Sequence, residues 1–290
     1  MDLSAASIEE VKEQIGILLK GHAVSAPIFD PGMRLFRARK TALLLSSLAE
    51  IGAPPPAKVL SNQRCNRAGE SLFYCSSARN APFFEVHSQV GDHLVLSEWR
   101  TTARMTVNHI GYTRSTFERL RSTRRAPTWG AATPVAPLVS DSAHMIDEFF
   151  SSLFAVDVRE GEEHLYKATI ALTEKFIPEP TAVGAFCFDG LMYPTIPMNG
   201  NCENFALKSG FVERFLAFVK AEYLVVRQIE SMQMKFDVLD YANSVRDGKL
   251  EWKGRPGRWV LQKQDEQLQI SVENGEWIAR DSNGNVVPMD

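Results

Sequence analysis

The chain breakers in the first fifth of the sequence constrain its folding more than any other feature. Pro27 and Pro31-Gly32 interrupt the chain just before Met33–Arg37, an apolar run that reads as the first core strand. Residues Thr41–Ile51 are predicted as a helix, and Pro54-Pro55-Pro56 ends that element firmly. Upstream, Ile8, Val11, Ile15 and Leu18 recur at helical offsets, so residues 6–20 are predicted as an amphipathic helix. Ser4 or Ser7 supplies its N-cap, and Glu9-Glu10 its first-turn acids. Downstream, Leu72–Cys75, His93–Thr101 and Arg104–Asn108 predict strands. Asn80, followed by Pro82 in a tolerated first-turn position, predicts a short helix through Phe83, Phe84 and Glu85.

The remainder alternates in the same way. Ser142–Phe154 and Glu162–Phe176 carry helical periodicity, and Val183–Phe188 reads as a buried strand. Phe215–Ile229 is ambiguous by periodicity; its aromatics and valines favour strands. At the carboxyl end, Arg258–Lys263, Gln267–Glu273 and Trp277–Arg280 predict a β meander, with Asn274-Gly275 as a hairpin turn. An α+β fold is expected.

With 44% apolar and 23% charged residues among 290, the chain has the composition of a globular protein with a substantial core. A formal net charge of −3 gives no global attraction for nucleic acid. The local run Arg114, Arg119, Arg121, Arg124 and Arg125 against Glu118 reads as a solvated or internally paired face. No apolar run approaches the ~18 residues of a membrane span, so no membrane association is expected. The segment from Met1 to Glu10 lacks the basic start and apolar stretch of a signal peptide, and a cytoplasmic location is the expectation. Cys65, Cys75, Cys187 and Cys202 form no C-x-x-C pair. Cys75 and Cys187 are expected to be buried, whereas Cys65 lies in the loop that carries the chemistry. His87 and His93 come nearest to metal-ligand spacing but lack partners, so no metal is expected.

The chemistry concentrates in Arg64-Cys65-Asn66-Arg67-Ala68-Gly69, the strand ending near Tyr74, and Glu85. A guanidinium, an aromatic ring and a carboxylate are what a site needs to hold a dinucleotide and labilise one glycosidic bond. Upstream stands Leu35-Phe36-Arg37-Ala38-Arg39, and far downstream Asp189 through Tyr193-Pro194-Thr195, then Asn201 and Asn204-Phe205-Ala206-Leu207. On pattern alone, Glu85 also reads as a solvated helix residue, and R-x-N-x-x-G as an ordinary polar turn.

This ordered set resembles the RES domain, a bacterial family with an Arg on its first strand, an R-x-N-x-x-G loop, a strand ending in Tyr, a Glu, and a late Y-P-S segment followed by Asn. The resemblance covers about residues 33–86 and 184–235. It implies a core similar to that of the ADP-ribosyltransferase toxins. The organisation it implies is an N-terminal helical segment 1–32 and a catalytic domain 33–235 with a helical insertion at about 110–182. A C-terminal β extension at 236–290 completes the chain, as a packing or oligomerisation element. The implied activity is cleavage of the nicotinamide–ribose bond of NAD, by a glycohydrolase or phosphorylase. NAD would be substrate, without a metal. Glu85 would face the ribose and stabilise its developing charge, while Arg37 would bind ribose or phosphate, an exchange with Arg39 remaining open. Arg64 would be a second anion contact, with Asn66 and Gly69 shaping its loop. Tyr74 would stack on nicotinamide or cap a core position. Thr195 stands where the family carries serine, keeping the hydroxyl and narrowing the pocket by a methyl. Tyr193 and Asn204 would organise the site from behind, as would Asn201. An antitoxin or immunity protein and a homo-oligomer are the partners implied; nucleic acid is not. Transfer of ADP-ribose to a macromolecule, or a silent nucleotide- or protein-binding module, are the alternatives.

Overall fold

The computed structural model describes residues 2–20, 22, 26–123, 141–159, 161–178, 187–230, 233–254, 257–262, 269–273, 276–280 and 286–287. In chain order its first half holds α1 (Ile8–Leu18), β1 (Ile28–Phe29), β2 (Arg34–Lys40), α2 (Leu48–Ile51), β3 (Leu72–Ser76), α3 (Ala81–Glu85), β4 (His93–Thr101) and β5 (Met105–His109). Then come α4 (Arg114–Leu120), α5 (Asp141–Phe154), α6 (Tyr166–Phe176), β6 (Gly190–Pro194), β7 (Glu203–Lys208) and α7 (Ser209–Phe215). The chain closes with β8 (Leu216–Glu230), β9 (Gln233–Arg246), β10 (Lys249–Trp252), β11 (Gly257–Gln262), β12 (Gln269–Glu273), β13 (Glu276–Arg280) and β14 (Val286–Val287).

Among the described residues eleven strands share one mixed sheet, in the order β1-β5-β6-β7-β3-β2-β4-β8-β9-β10, with β11 also on β9. The β5–β6 pair is parallel. Strands β12, β13 and β14 form a separate antiparallel sheet. The fold is thus α+β. Among the described residues no helix is long and apolar enough to cross a membrane.

Period-two alternation divides the buried side chains between two faces. On one face Leu35, Phe73, Val95, Trp99, Phe205 and Leu207 pack with Ile51 of α2 and Phe211 of α7. On the other, Leu191, Tyr193 and Ala206 meet Val11 and Ile15 of α1, Phe150 and Phe154 of α5, and Leu172 and Phe176 of α6. Farther along that face, Phe36, Leu94, Leu96, Leu224 and Phe236 meet Phe83 and Phe84 of α3. Gly190 is required where β6 runs close to β7, since a Cβ there would stand 2.5 Å from the Ala206 carbonyl oxygen.

One seam interrupts this sheet. β2 pairs with β4 from Arg34 to Lys40, but with β3 only at Phe36↔Ser76. The sheet is barely closed there, and the site lies at that seam.

Local sequence accounts for most elements. Ser7 Oγ accepts from the Glu10 N–H (3.2 Å) and Glu10 Oε2 from the Ser7 N–H (2.7 Å), a capping box that starts α1. Strand β4 is buried along nearly its whole length because both faces are covered. Three expectations need correction. The predicted helix Thr41–Ile51 is helical only at Leu48–Ile51, because the preceding backbone is drawn to β10 and the turn before it. Leu250 N–H donates to the Ser46 carbonyl (2.8 Å), Trp252 Nε1 to that of Leu45 (2.8 Å) and Leu48 N–H to that of Gly248 (2.9 Å). Cys187, expected buried, is exposed beside the Lys208 ammonium at 3.6 Å. It precedes β6 in irregular backbone, and residues 183–186 of the expected strand lie outside the described residues. Strand β9 runs through the expected boundary at 235–236, since Met234, Phe236 and Val238 belong to one apolar cluster. β9, β10 and β11 therefore continue the main sheet. The Asn274-Gly275 turn, Arg124 and Arg125 lie outside the described residues; of the same basic run, Arg114 pairs with Glu118 at 2.7 Å.

Candidate functional site

A cleft of about 360 Å³ opens at the β2–β3 seam, within the size range of small-molecule sites. Its walls include Arg37 of β2, Arg64, Tyr74 and Ser76 of β3, Glu85 and His87 at the end of α3, Tyr193 and Asn204. Asp157, Val158 and Tyr166 add a wall from the helical insertion.

Arg37 stands across the seam. Its Nη1 donates to the Tyr74 backbone carbonyl at 2.7 Å, replacing a strand–strand hydrogen bond, and its guanidinium lies 5.3 Å from the Phe73 ring centre. Burial pushes this guanidinium down to about 10. Its buried Nε has no hydrogen-bond partner, and no carboxylate among the described residues pairs with it. A buried cation lacking a counter-charge is costly for the fold and apt to receive an anion. Arg39, the residue left open as its substitute, instead donates to the Glu50 carbonyl and does not line the cleft.

Glu85 faces the same cleft from the last residue of α3. A short polar chain fixes it. Ser76 Oγ donates to Asn204 Oδ1 (2.5 Å), which orients the amide so that Nδ2 donates to Glu85 Oε1 (2.7 Å). Burial raises the Glu85 carboxyl above the usual range, while the Asn204 hydrogen bond and the Arg64 charge oppose that rise. Asn204 itself is 4% exposed, and the pairing of Tyr193 with Asn204 across β6 and β7 sets its place.

The Arg64–Gly69 loop is built mainly to hold its own shape. Tyr74 donates its hydroxyl to Asn66 Oδ1 (2.6 Å) and accepts from the Cys65 N–H (3.0 Å), while Asn66 Nδ2 reaches the Arg67 and Glu70 carbonyls (both 3.0 Å). Gly69 closes the loop at φ +81°, a left-handed conformation that favours glycine. Asn66 and Gly69 do not line the cleft; Tyr74 does. Burial pushes the Cys65 thiol up to about 12, which removes the thiolate and with it the reactivity that position suggested. Tyr193 lines the cleft with its ring 5.6 Å from that of Phe154.

Two expected site residues have other roles. Arg64 lines the cleft but spends both terminal nitrogens on the end of α5: Nη1 donates to the Phe154 carbonyl (2.7 Å) and Nη2 to that of Val156 (3.1 Å). Its guanidinium also lies 5.7 Å from the Tyr166 ring centre. It clasps the insertion against the site. Thr195 is fully buried, its hydroxyl 3.3 Å from the Cys202 sulfur, and does not line the cleft. Its extra methyl is thus taken up in the core, and the expected narrowing of the pocket does not occur. Asn201 lies apart as well, accepting from Ser122 Oγ at 2.7 Å.

The residues that sequence reasoning misses are Ser76, Asp157 and Tyr166. Ser76 is foreseeable from its place after Tyr74 on one strand; Asp157 and Tyr166 have no local signal, because only packing of the insertion brings them here. Among the described residues no group of histidines, cysteines and carboxylates could hold a metal ion. The chain matches no known family model and none of the curated proteins with which it was compared.

Proposed function

We propose that this protein is an NAD-consuming enzyme of the RES type, with an ADP-ribosyltransferase-like core, that cleaves the nicotinamide–ribose bond. One observation carries the reading: Arg37, half-buried with no carboxylate partner among the described residues, and Glu85, half-buried and held by Asn204, line the same cleft. A cation awaiting an anion next to an oriented carboxylate suits a pyrophosphate joined to a ribose. The ordered Arg37, Arg64, Tyr74, Glu85 and Tyr193 motif supports the same assignment, by resemblance.

The chemistry needs little acid. The nicotinamide ring nitrogen is already positively charged and leaves with the electron pair of its bond to ribose. Positive charge develops on the sugar as that bond breaks, and ionised Glu85 stabilises it. Arg37 anchors the phosphates, so the dinucleotide is held while the bond lengthens. Tyr74 and Tyr193 supply aromatic walls for the planar base.

The test is purified wild type and Glu85→Gln protein with NAD, followed by chromatography. Wild type is expected to release nicotinamide, and the variant to be slower by about 100-fold or more. NAD bound but intact in both would sink the enzymatic reading in favour of a nucleotide-binding module. A labelled macromolecule in place of free ADP-ribose would favour transfer.

A further inference from the structure

The cleft has a second carboxylate that the motif does not supply. Asp157 comes from the segment following α5, and that segment is clasped by Arg64 through the Phe154 and Val156 carbonyls. Asp157 is solvent-exposed at the cleft wall, and its carboxylate forms no hydrogen bond or ion pair among the described residues. Its charge is felt at Glu85 and Tyr166, whose ionisations it opposes.

The two guanidinium groups that line the cleft are already committed. Arg64 gives both terminal nitrogens to carbonyl oxygens, and Arg37 is the group placed to take a pyrophosphate. A second anion arriving as acceptor would meet Glu85 and Asp157 with no unassigned guanidinium to receive it. A neutral acceptor meets no such barrier, and a carboxylate wetted on one side is suited to holding water and taking its proton.

Resting on the NAD-cleaving reading above, we propose that Asp157 selects water as the acceptor, making the enzyme a glycohydrolase and not a phosphorylase. The water oxygen bonds to the anomeric carbon as the carbon–nitrogen bond to nicotinamide breaks. The departing base keeps that electron pair and becomes neutral. One water proton passes to the Asp157 carboxylate and then to solvent, so NAD and water give ADP-ribose, nicotinamide and a proton. Arg64 acts here as a positioning residue, through the segment it clasps.

The experiment incubates wild type and Asp157→Asn protein with NAD, with and without millimolar inorganic phosphate, and resolves nicotinamide, ADP-ribose and phosphorylated ADP-ribose by chromatography. Wild type is expected to form ADP-ribose even in phosphate. The variant is expected to hydrolyse more slowly, by about 10- to 100-fold, and to shift its products toward phosphorylated ADP-ribose when phosphate is present. Because Asp157 is exposed, matching melting curves would show that the variant folds. Phosphorylated ADP-ribose as the main wild-type product would overturn the proposal while leaving NAD cleavage intact. So would an Asp157→Asn enzyme with unchanged rate and product ratio. No nicotinamide from wild type would instead remove the underlying NAD-cleaving reading, and this assignment with it.

Discussion

Glu85 combines two properties that ordinarily conflict, a half-buried position and a charge required for the proposed chemistry. Burial keeps its carboxyl above the usual range despite the Asn204 hydrogen bond. A carboxyl that binds its proton more tightly folded than unfolded destabilises the fold as pH rises through the folded pKa, and the loss is recovered as pH falls. Glu85→Gln keeps the oxygen that accepts from Asn204 Nδ2. It is therefore expected to melt above wild type at pH 7, with the advantage vanishing at about pH 4 and below. Thermal melts across pH test this; a variant melting below wild type at pH 7 would refute it. Arg37→Lys should weaken binding of ADP-ribose by about 10- to 100-fold in calorimetry, since an ammonium cannot donate to Tyr74 and fork onto a phosphate at once. Unchanged affinity would remove Arg37 from the anion site. At this scale the sequence is readable where chemistry is local: Tyr74 and Asn66 lie within one strand and loop and do meet. Arg64 was found by the same local logic, yet its two carbonyl partners lie some ninety residues onward, which spacing cannot reveal.

Elements follow the same division between local and distant causes. Helix α1 is readable because its cap and apolar stripe are its own. Thr41–Ser47 is not, since its helical pattern loses to hydrogen bonds offered from around β10, two hundred residues away. β9 has a legible alternation in Met234, Phe236 and Val238, but the strand's length and partners depend on β8 and β11. The α1–α6 contact is held by charge as well as by apolar packing. Arg67 Nε lies 2.5 Å from Glu174, its Nη2 bonds Glu9, and Lys12 joins Glu174. Burial would raise the Glu174 carboxyl, but Arg67 and Lys12 outweigh it and the net shift is downward. The stabilisation is thus present at neutral pH and lost as pH falls through the folded pKa. Glu174→Gln should cost about 1 kcal/mol at pH 7, measured by denaturant titration, and less in acid, because the pairs are partly solvated. Equal loss at both pH values would point to packing alone.

Among the described residues the large sheet is carried through to β11, and truncation should reveal it. A chain ending after Gln262 keeps every strand of the large sheet and is expected to melt within about 2 °C of the full chain. Ending after Lys235 removes Phe236, Val238, Ala242 and Leu250 from the two apolar clusters. Losses of about 3–5 kcal/mol for one large buried aromatic, with the others added, match the entire stability of a typical domain. That shorter chain should be insoluble or unfolded by circular dichroism; a folded product would restore a boundary near 235. The α+β class was legible because strand and helix periods alternate along the chain, whereas the order of strands was not, being fixed by pairings across long separations. The single register pair between β2 and β3 has a last consequence. An anion bound at Arg37 would bridge two half-sheets along their weakest line, so occupancy and cohesion become linked quantities. On the proposed NAD-cleaving reading, a cell depleted of the substrate would deprive the protein of that brace and leave it easier prey for proteases, its lifetime governed by the dinucleotide it would cleave.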